Sequence, residues 1–194
     1  MRSTREYSMS PWEYYLMVSR RAEERFGCRR VLKIDARNEG VGLPVRGGIA
    51  GNLASRNVTI LECDRDAIAK AKTVLPGINY VSGDIRALPF ADNSFDLILD
   101  LSTIDHIPES DVSLALSEYA RVAPVLVLVA WCSGDLELVR MRNAVPWRPE
   151  NQYLFFREKL LLDIQKFFSI LESDVSFHFD GSNYLSYDLC QRRV

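Results

Sequence analysis

The sequence predicts an α/β fold with a mostly parallel sheet and helices on both faces. Three observations predict it. Apolar runs of strand length at residues 31–34, 58–61 and 125–130 alternate with stretches of helical periodicity. Between Asn79 and Asp111, two strands joined by a crossover each run into a carboxylate. The first, at 80–81, stops at Gly83-Asp84; the second, at 95–99, ends at Asp100. In parallel sheets ligands sit beyond the carboxyl ends of the strands, where the strand order reverses, so those carboxylates belong to a binding edge. The third observation is a closing hairpin, with strands at 175–179 and 184–189 around Asp180-Gly181-Ser182-Asn183.

Each element follows from local chemistry. Residues 1–10 are polar and loosely held. Ser10-Pro11 starts a helix, with Ser10 as N-cap, Pro11 in the first turn and Glu13 three residues after the cap; Gly27 ends it. Tyr14, Tyr15, Val18 and Ala22 give this helix an apolar face. Arginines at 20, 21, 25, 29 and 30 make its end basic, which reads as a solvated face, with a phosphate-bearing ligand as the alternative. The first strand covers 31–34. A glycine-rich loop leads to a helix near 48–54, the second strand at 58–61 ends at Glu62, and a helix follows at 66–74. After the organising stretch come a helix at 111–122 and a buried central strand at 125–130, with Trp131, Cys132 and Ser133 emerging from its end. An irregular segment at 134–151 and an amphipathic helix at 155–168 lead into the hairpin.

Composition narrows the function classes. With 194 residues and 47% apolar content, the chain suits one domain, a helical extension at 1–30 followed by an α/β core at 31–194. A net charge of −2 and a pI near 5.8 give no global field for nucleic acid. Cys28, Cys63, Cys132 and Cys190 are scattered without C-x-x-C spacing, so they read as reduced thiols of a cytoplasmic protein and not as a disulfide frame or metal site. No apolar run approaches the ~20 residues of a membrane span, and the N-terminus lacks a signal-like apolar core.

Four motifs in order carry a resemblance: Gly83-Asp84-Ile85, Leu88-Pro89-Phe90, Asn93-Ser94-Phe95-Asp96 and Asp105-His106-Ile107-Pro108. They resemble the central motifs of class I S-adenosylmethionine-dependent methyltransferases, nearest to the small type 11 group. The similarity extends more weakly from about Val31 to the C-terminus. It implies a Rossmann-like, seven-stranded sheet of order 3-2-1-4-5-7-6 and S-adenosylmethionine as cofactor. It also implies Glu62 on the two ribose hydroxyls with Cys63 beside it, Asp84 on the adenine amine, Ile85 against the ring, and Asp100 at the start of the loop across the crevice. His106 lies near the expected methyl donor, where a neutral imidazole takes a proton from a nucleophile; capping the next helix or supporting the loop are its other readings. Trp131, Arg140, Arg142, Trp147 and Arg148 are candidate acceptor contacts, with core packing as the alternative for the aromatic residues.

The resemblance falters at the first strand-to-helix turn, where the family has an acidic residue and then three glycines at alternate positions. Here Lys33 takes the acidic position, and Asp35, Arg37 and Glu39 fall on the glycines; Gly40 and Gly42 follow, displaced. Asp35 shares a strand face with residue 33 and is placed to supply the missing carboxylate, with the Gly40–Gly42 turn at the methionine part. A lysine close to a cationic donor opposes it by about 2–4 kcal/mol. On that reading Lys33→Glu tightens the donor. The sequence therefore points to methyl transfer onto an N, O or S acceptor that it does not identify. A methyltransferase-like binding or assembly protein without catalysis is the alternative, and a phosphate-binding module a more distant one. It gives no oligomeric state.

Overall fold

Helix α1 (Pro11–Phe26) is fixed at both ends by its own sequence. The Ser10 hydroxyl accepts from the Glu13 N–H at 3.3 Å while the Glu13 carboxylate accepts from the Ser10 N–H at 2.8 Å. Gly27, at φ 61, closes the other end with its N–H on the Glu23 carbonyl. The structure, a computed structural model, describes residues 10–37, 39, 48–54, 57–144, 152–178 and 183–193.

The strands are β1 (Arg30–Ile34), β2 (Asn57–Glu62), β3 (Asn79–Ser82), β4 (Leu97–Leu101), β5 (Val125–Ser133), β6 (Phe155–Phe156), β7 (Phe168–His178) and β8 (Asn183–Arg192). The sheet path is β3-β2-β1-β4-β5-β8-β7, with the two-residue β6 paired to Cys132 and Ser133 off that path. Setting β6 aside, this is the 3-2-1-4-5-7-6 order that the resemblance implies. Pairing is parallel from β3 through β5, and β8 runs antiparallel to both β5 and β7. Strand order reverses between β1 and β4, so the crevice opens at their carboxyl ends.

Alternation along β5 builds both cores. Leu126, Leu128 and Ala130 face one side with α3 (Val112–Val122) and α5 (Arg157–Gln165). Val125, Val127 and Val129 face the other, under α1 and α2 (Arg65–Val74). Asp64 caps α2, its carboxylate accepting from the Asp66 N–H at 2.8 Å.

Several expected boundaries move, for identifiable reasons. The helix near 48–54 is a single 3-10 turn, Ala50–Asn52, because Gly48 turns left-handed at φ 63 just before it. β4 does not stop at Asp100 but carries it inside, fully buried, and runs on to Leu101. Trp131 to Ser133 belong to β5, held by β8 and β6. The segment expected to be irregular contains α4 (Leu136–Ala144), whose only buried side chain is Val139, so it shows no apolar stripe. The expected helix at 155–168 is split: Phe155–Phe156 joins the sheet, α5 ends at Gln165, and Phe168 already starts β7. The hairpin is longer than expected on both sides, and its tip at 180–182 lies outside the described residues.

Candidate active site

Two backbone positions shape the crevice. After β1, the Asp35 N–H still donates to the Leu61 carbonyl at 2.8 Å, and the chain then turns left-handed at φ 74. Directly after β4, Ser102 does the same at φ 74, its N–H on the Val129 carbonyl at 2.9 Å. A non-glycine residue in this region costs roughly 1 kcal/mol or more, and such strain concentrates at functional sites. Here both cases sit at the ends of adjacent strands, on the rim of one cavity of 880 Å³.

That cavity brings together Asp35, Glu62, Cys63, Asp84, Ile85 and His106. Glu62 is buried and fixed: one oxygen accepts from the Ala36 N–H at 2.8 Å, the other from the Asp64 N–H at 2.8 Å and from the Cys63 thiol at 3.4 Å. Asp35 accepts from the Arg37 N–H at 2.8 Å and shares a hydrogen bond with Glu62. Burial and the Asp35 carboxylate raise the Glu62 pKa. Burial pushes Asp35 upward too, but the Lys33 charge, the shared bond and the Arg37 N–H hold it below its ordinary value.

Lys33 does not face this pair across the cavity. Its ammonium is buried, donates to the Ile34 and Asp35 carbonyls and pairs with Glu39 at 3.2 Å. Glu39 in turn accepts from the Ile49 and Ala50 N–H groups at 3.3 and 3.0 Å. Lysine on the acidic position and glutamate on a glycine position thus compensate each other. Gly48 is needed here: a Cβ on it would lie 2.1 Å from Glu39 Oε2.

Asp84 is held by Arg86, whose Nε and Nη2 reach its oxygens at 3.0 and 2.6 Å, and the Arg86 Nη1 donates to Asp111 at 2.8 Å. The Arg86 hydrogen bond is the main influence that lowers the Asp84 pKa. Asp100 does not line the cavity. It is fully buried behind it and accepts from the Thr103 and Ile104 N–H groups and the Tyr119 hydroxyl, at 2.8, 3.2 and 2.8 Å. Burial lifts its pKa to about 6 against those donors. His106 ends the turn Ile104–His106 and lines the cavity. Gly40, Gly42, Trp147 and Arg148 lie outside the described residues.

Of the acceptor candidates, Trp131 lines the cavity, with the Arg142 guanidinium 4.9 Å from its ring. Arg140 pairs with Glu137 instead, away from the cavity. The basic end of α1 is used structurally: Arg20 donates to the Asn52 carbonyl, Arg25 pairs with Glu172 and Arg30 with Asp96. Sequence reasoning missed Trp12 and Tyr15, which bring α1 into the cavity wall, and the partnership of Ser102 with Asp105 beneath it. The only signal for the former was the aromatic content of the first helix, which reads equally well as core. Among the described residues, no helix is long and apolar enough to cross a membrane.

Residues 40–124 match the family described as "Methyltransferase domain". The match begins after β1 and its altered turn. A demethylmenaquinone methyltransferase from Beutenbergia cavernae is 29% identical over 62% of this chain and 47% of its own length. The chain thus spans less than half of that relative. Among solved structures, the N-methyltransferase NodS from Bradyrhizobium japonicum, in complex with S-adenosyl-L-homocysteine, superposes with a TM-score of 0.68 at 15% identity, covering 95% of this chain and 89% of that one. A SAM-dependent methyltransferase from Methanosarcina mazei gives 0.65 at 18% identity, covering 89% and 97%.

Proposed function

We propose that this chain is a class I S-adenosylmethionine-dependent methyltransferase that transfers a methyl group to an N, O or S nucleophile. The observation that carries this is the convergence of Asp35, Glu62, Asp84 and Ile85 on one cavity at the switch point of the sheet. The cofactor of the family is S-adenosylmethionine, and the residues present suit its parts. When bound, it supplies a methyl group on a sulfonium, ready for in-line displacement.

The chain's own residues then bind, orient and exclude water. Glu62 is assigned to the ribose hydroxyls, its backbone donors fixing its position at the cavity. Cys63 stands beside it, Ile85 packs on the base, and Asp84, oriented by Arg86, accepts from the exocyclic amine. Asp35 supplies negative charge for the amino group of the methionine part. Arg37, exposed at the cavity and only loosely paired to Asp64 at 3.8 Å, is the cation for its carboxylate. The Gly40–Gly42 turn is assigned to the same end. Asp100 acts one step back, by holding the backbone that carries Thr103. His106 accepts the proton of the nucleophile.

The whole chain works as one domain under this reading, in the cytoplasm, where its four cysteines remain reduced; all four are free in the structure. The alternative of a non-catalytic binding protein rests on the displaced glycines and on Lys33, and the Lys33 charge is neutralised by Glu39 away from the cavity. S-adenosylhomocysteine should raise the melting temperature by mass action, with about 2.7 kcal/mol of stabilisation at a hundredfold excess over Kd. A melting temperature that stays constant up to millimolar ligand would contradict the proposal.

A further inference from the structure

The cavity is divided by charge. Every carboxylate and every lysine or arginine among its described lining residues (Asp35, Arg37, Glu62, Asp84 and Arg86) belongs to the end formed by β1, β2 and the turn after β3. The other end is formed by α1, the loop after β4, the end of β5 and the start of β8. Its described lining carries no carboxylate, lysine or arginine. If the first end holds the cofactor, as proposed above, the second is where the methyl acceptor must lie.

This second end is aromatic. Trp12 and Tyr15 project from one face of α1, their rings edge-on with centroids 5.4 Å apart. Trp131 and Leu185 complete the wall from neighbouring strands, in register across the β5–β8 pair. Arg142 lies over the Trp131 ring and adds stiffness to that side. Such surfaces favour flat, weakly hydrated ligands through offset or edge-to-face contact.

Ser102, Thr103, His106 and Gln152 are the polar residues of this end, and Ser102 is the one tied to a buried carboxylate. Ser102 lines the cavity in its left-handed conformation, and its hydroxyl donates to Asp105 Oδ2 at 2.8 Å. Asp105 is fully buried beneath it, and Tyr15 approaches Ser102 from α1. A serine whose own proton is committed to a buried carboxylate presents its oxygen as an acceptor. The left-handed turn sets Ser102 in the cavity lining.

We propose that this end of the cavity binds an uncharged acceptor with a flat aromatic ring bearing a hydroxyl group, the ring against Trp12, Tyr15 and Trp131 and the hydroxyl donating to Ser102. Arg142 lies against Trp131 without lining the cavity, and the lack of a lysine or arginine in the described lining at this end disfavours phosphorylated or otherwise anionic acceptors, which would be desolvated there without a partner. The absence of carboxylates other than the internally bonded Asp105 disfavours polyamine-like acceptors for the same reason.

The test uses the protein loaded with S-adenosylhomocysteine and four probes: p-cresol, toluene, methylcyclohexanol and phenyl phosphate. Binding is read by calorimetry and by tryptophan fluorescence. p-Cresol should bind about tenfold more tightly than toluene, the scale of one hydrogen bond, and several-fold more tightly than methylcyclohexanol, which lacks the flat ring, with phenyl phosphate binding more weakly than p-cresol. Ser102→Ala should reduce the p-cresol preference over toluene to near unity while leaving S-adenosylhomocysteine affinity unchanged. Trp12→Ala, at a partly exposed position, should weaken both aromatic probes by several-fold. Equal binding of methylcyclohexanol or phenyl phosphate, or a Ser102→Ala protein that still prefers p-cresol, would overturn the proposal. Failure of S-adenosylhomocysteine to bind the unmodified protein would instead overturn the cofactor reading on which it rests.

Discussion

Replacing Lys33 by methionine removes the cation from a buried pair and leaves Glu39 charged among apolar neighbours. At the observed 3.2 Å separation, the attraction is ~5 kcal/mol at an effective dielectric of 20. Burial of both groups offsets much of this, so the pair's net contribution is smaller than that figure. The single substitution is different, because it strands a charge: about 3–5 kcal/mol of stability should be lost. For a chain of this length that is a fall in melting temperature of roughly 6–20 °C. The double variant Lys33→Met/Glu39→Gln should recover more than half of the loss, since the stranded charge is gone and the glutamine oxygen still accepts from Ile49 or Ala50. Lys33→Glu, which restores the family's residue type, should destabilise more than methionine and should not tighten S-adenosylmethionine. Thermal denaturation and chemical unfolding of the three variants measure this. A Lys33→Met loss below about 1 kcal/mol, or additive losses in the double variant, would refute the compensating-pair reasoning.

Other outcomes follow from the same geometry. Gly48→Ala should cost several kcal/mol, of the order seen for strain at a left-handed position combined with overpacking, because its Cβ would strike the Glu39 carboxylate; far-UV circular dichroism with urea unfolding checks it. Asp105 has its pKa lifted by burial from 3.8 to about 7, so the folded state binds its proton more tightly than the unfolded chain does. Its contribution is therefore most favourable below pH 4 and declines as pH rises through about 7, by up to ~4 kcal/mol. Relative to the wild type, Asp105→Asn should gain stability as pH rises from about 4 to about 7, and a pH-independent difference in melting temperature would contradict the assignment. Arg37→Ala should weaken S-adenosylhomocysteine about tenfold, the scale of a charged hydrogen bond, and leave methylthioadenosine, which lacks the amino-acid part, unchanged; equal losses for both ligands would show that Arg37 does not meet the carboxylate.

Much of the sheet was legible in the sequence, because buried parallel strands appear as plain apolar runs and their ends are marked by Glu62 and Asp84. The capping of α1 by Ser10, Glu13 and Gly27 was equally plain, since these signals are local. What failed was long-range. α4 buries one side chain and is announced only by Asp135, whose carboxylate accepts from the Glu137 and Leu138 N–H groups. Phe167 and Phe168 looked like the end of a helical stripe because strand pairing with β8 leaves no local trace. Asp100 looked like a strand terminus because the donors that make its burial tolerable come from residues 103, 104 and 119. The site divides in the same way. The carboxylates at strand ends were visible as residues, but the meeting of Lys33 with Glu39 and of Tyr15 with Ser102 exists only in the folded chain.

The measurement closest to the central claim is a calorimetric titration of S-adenosylhomocysteine into the wild type and Glu62→Gln. Saturable one-to-one binding to the wild type is expected, with a loss of about 1.5–3 kcal/mol in the variant, the size of a hydrogen bond to a charged group, and with the fold unchanged by circular dichroism. Absence of heat at millimolar ligand, or equal affinity for both proteins, would contradict it.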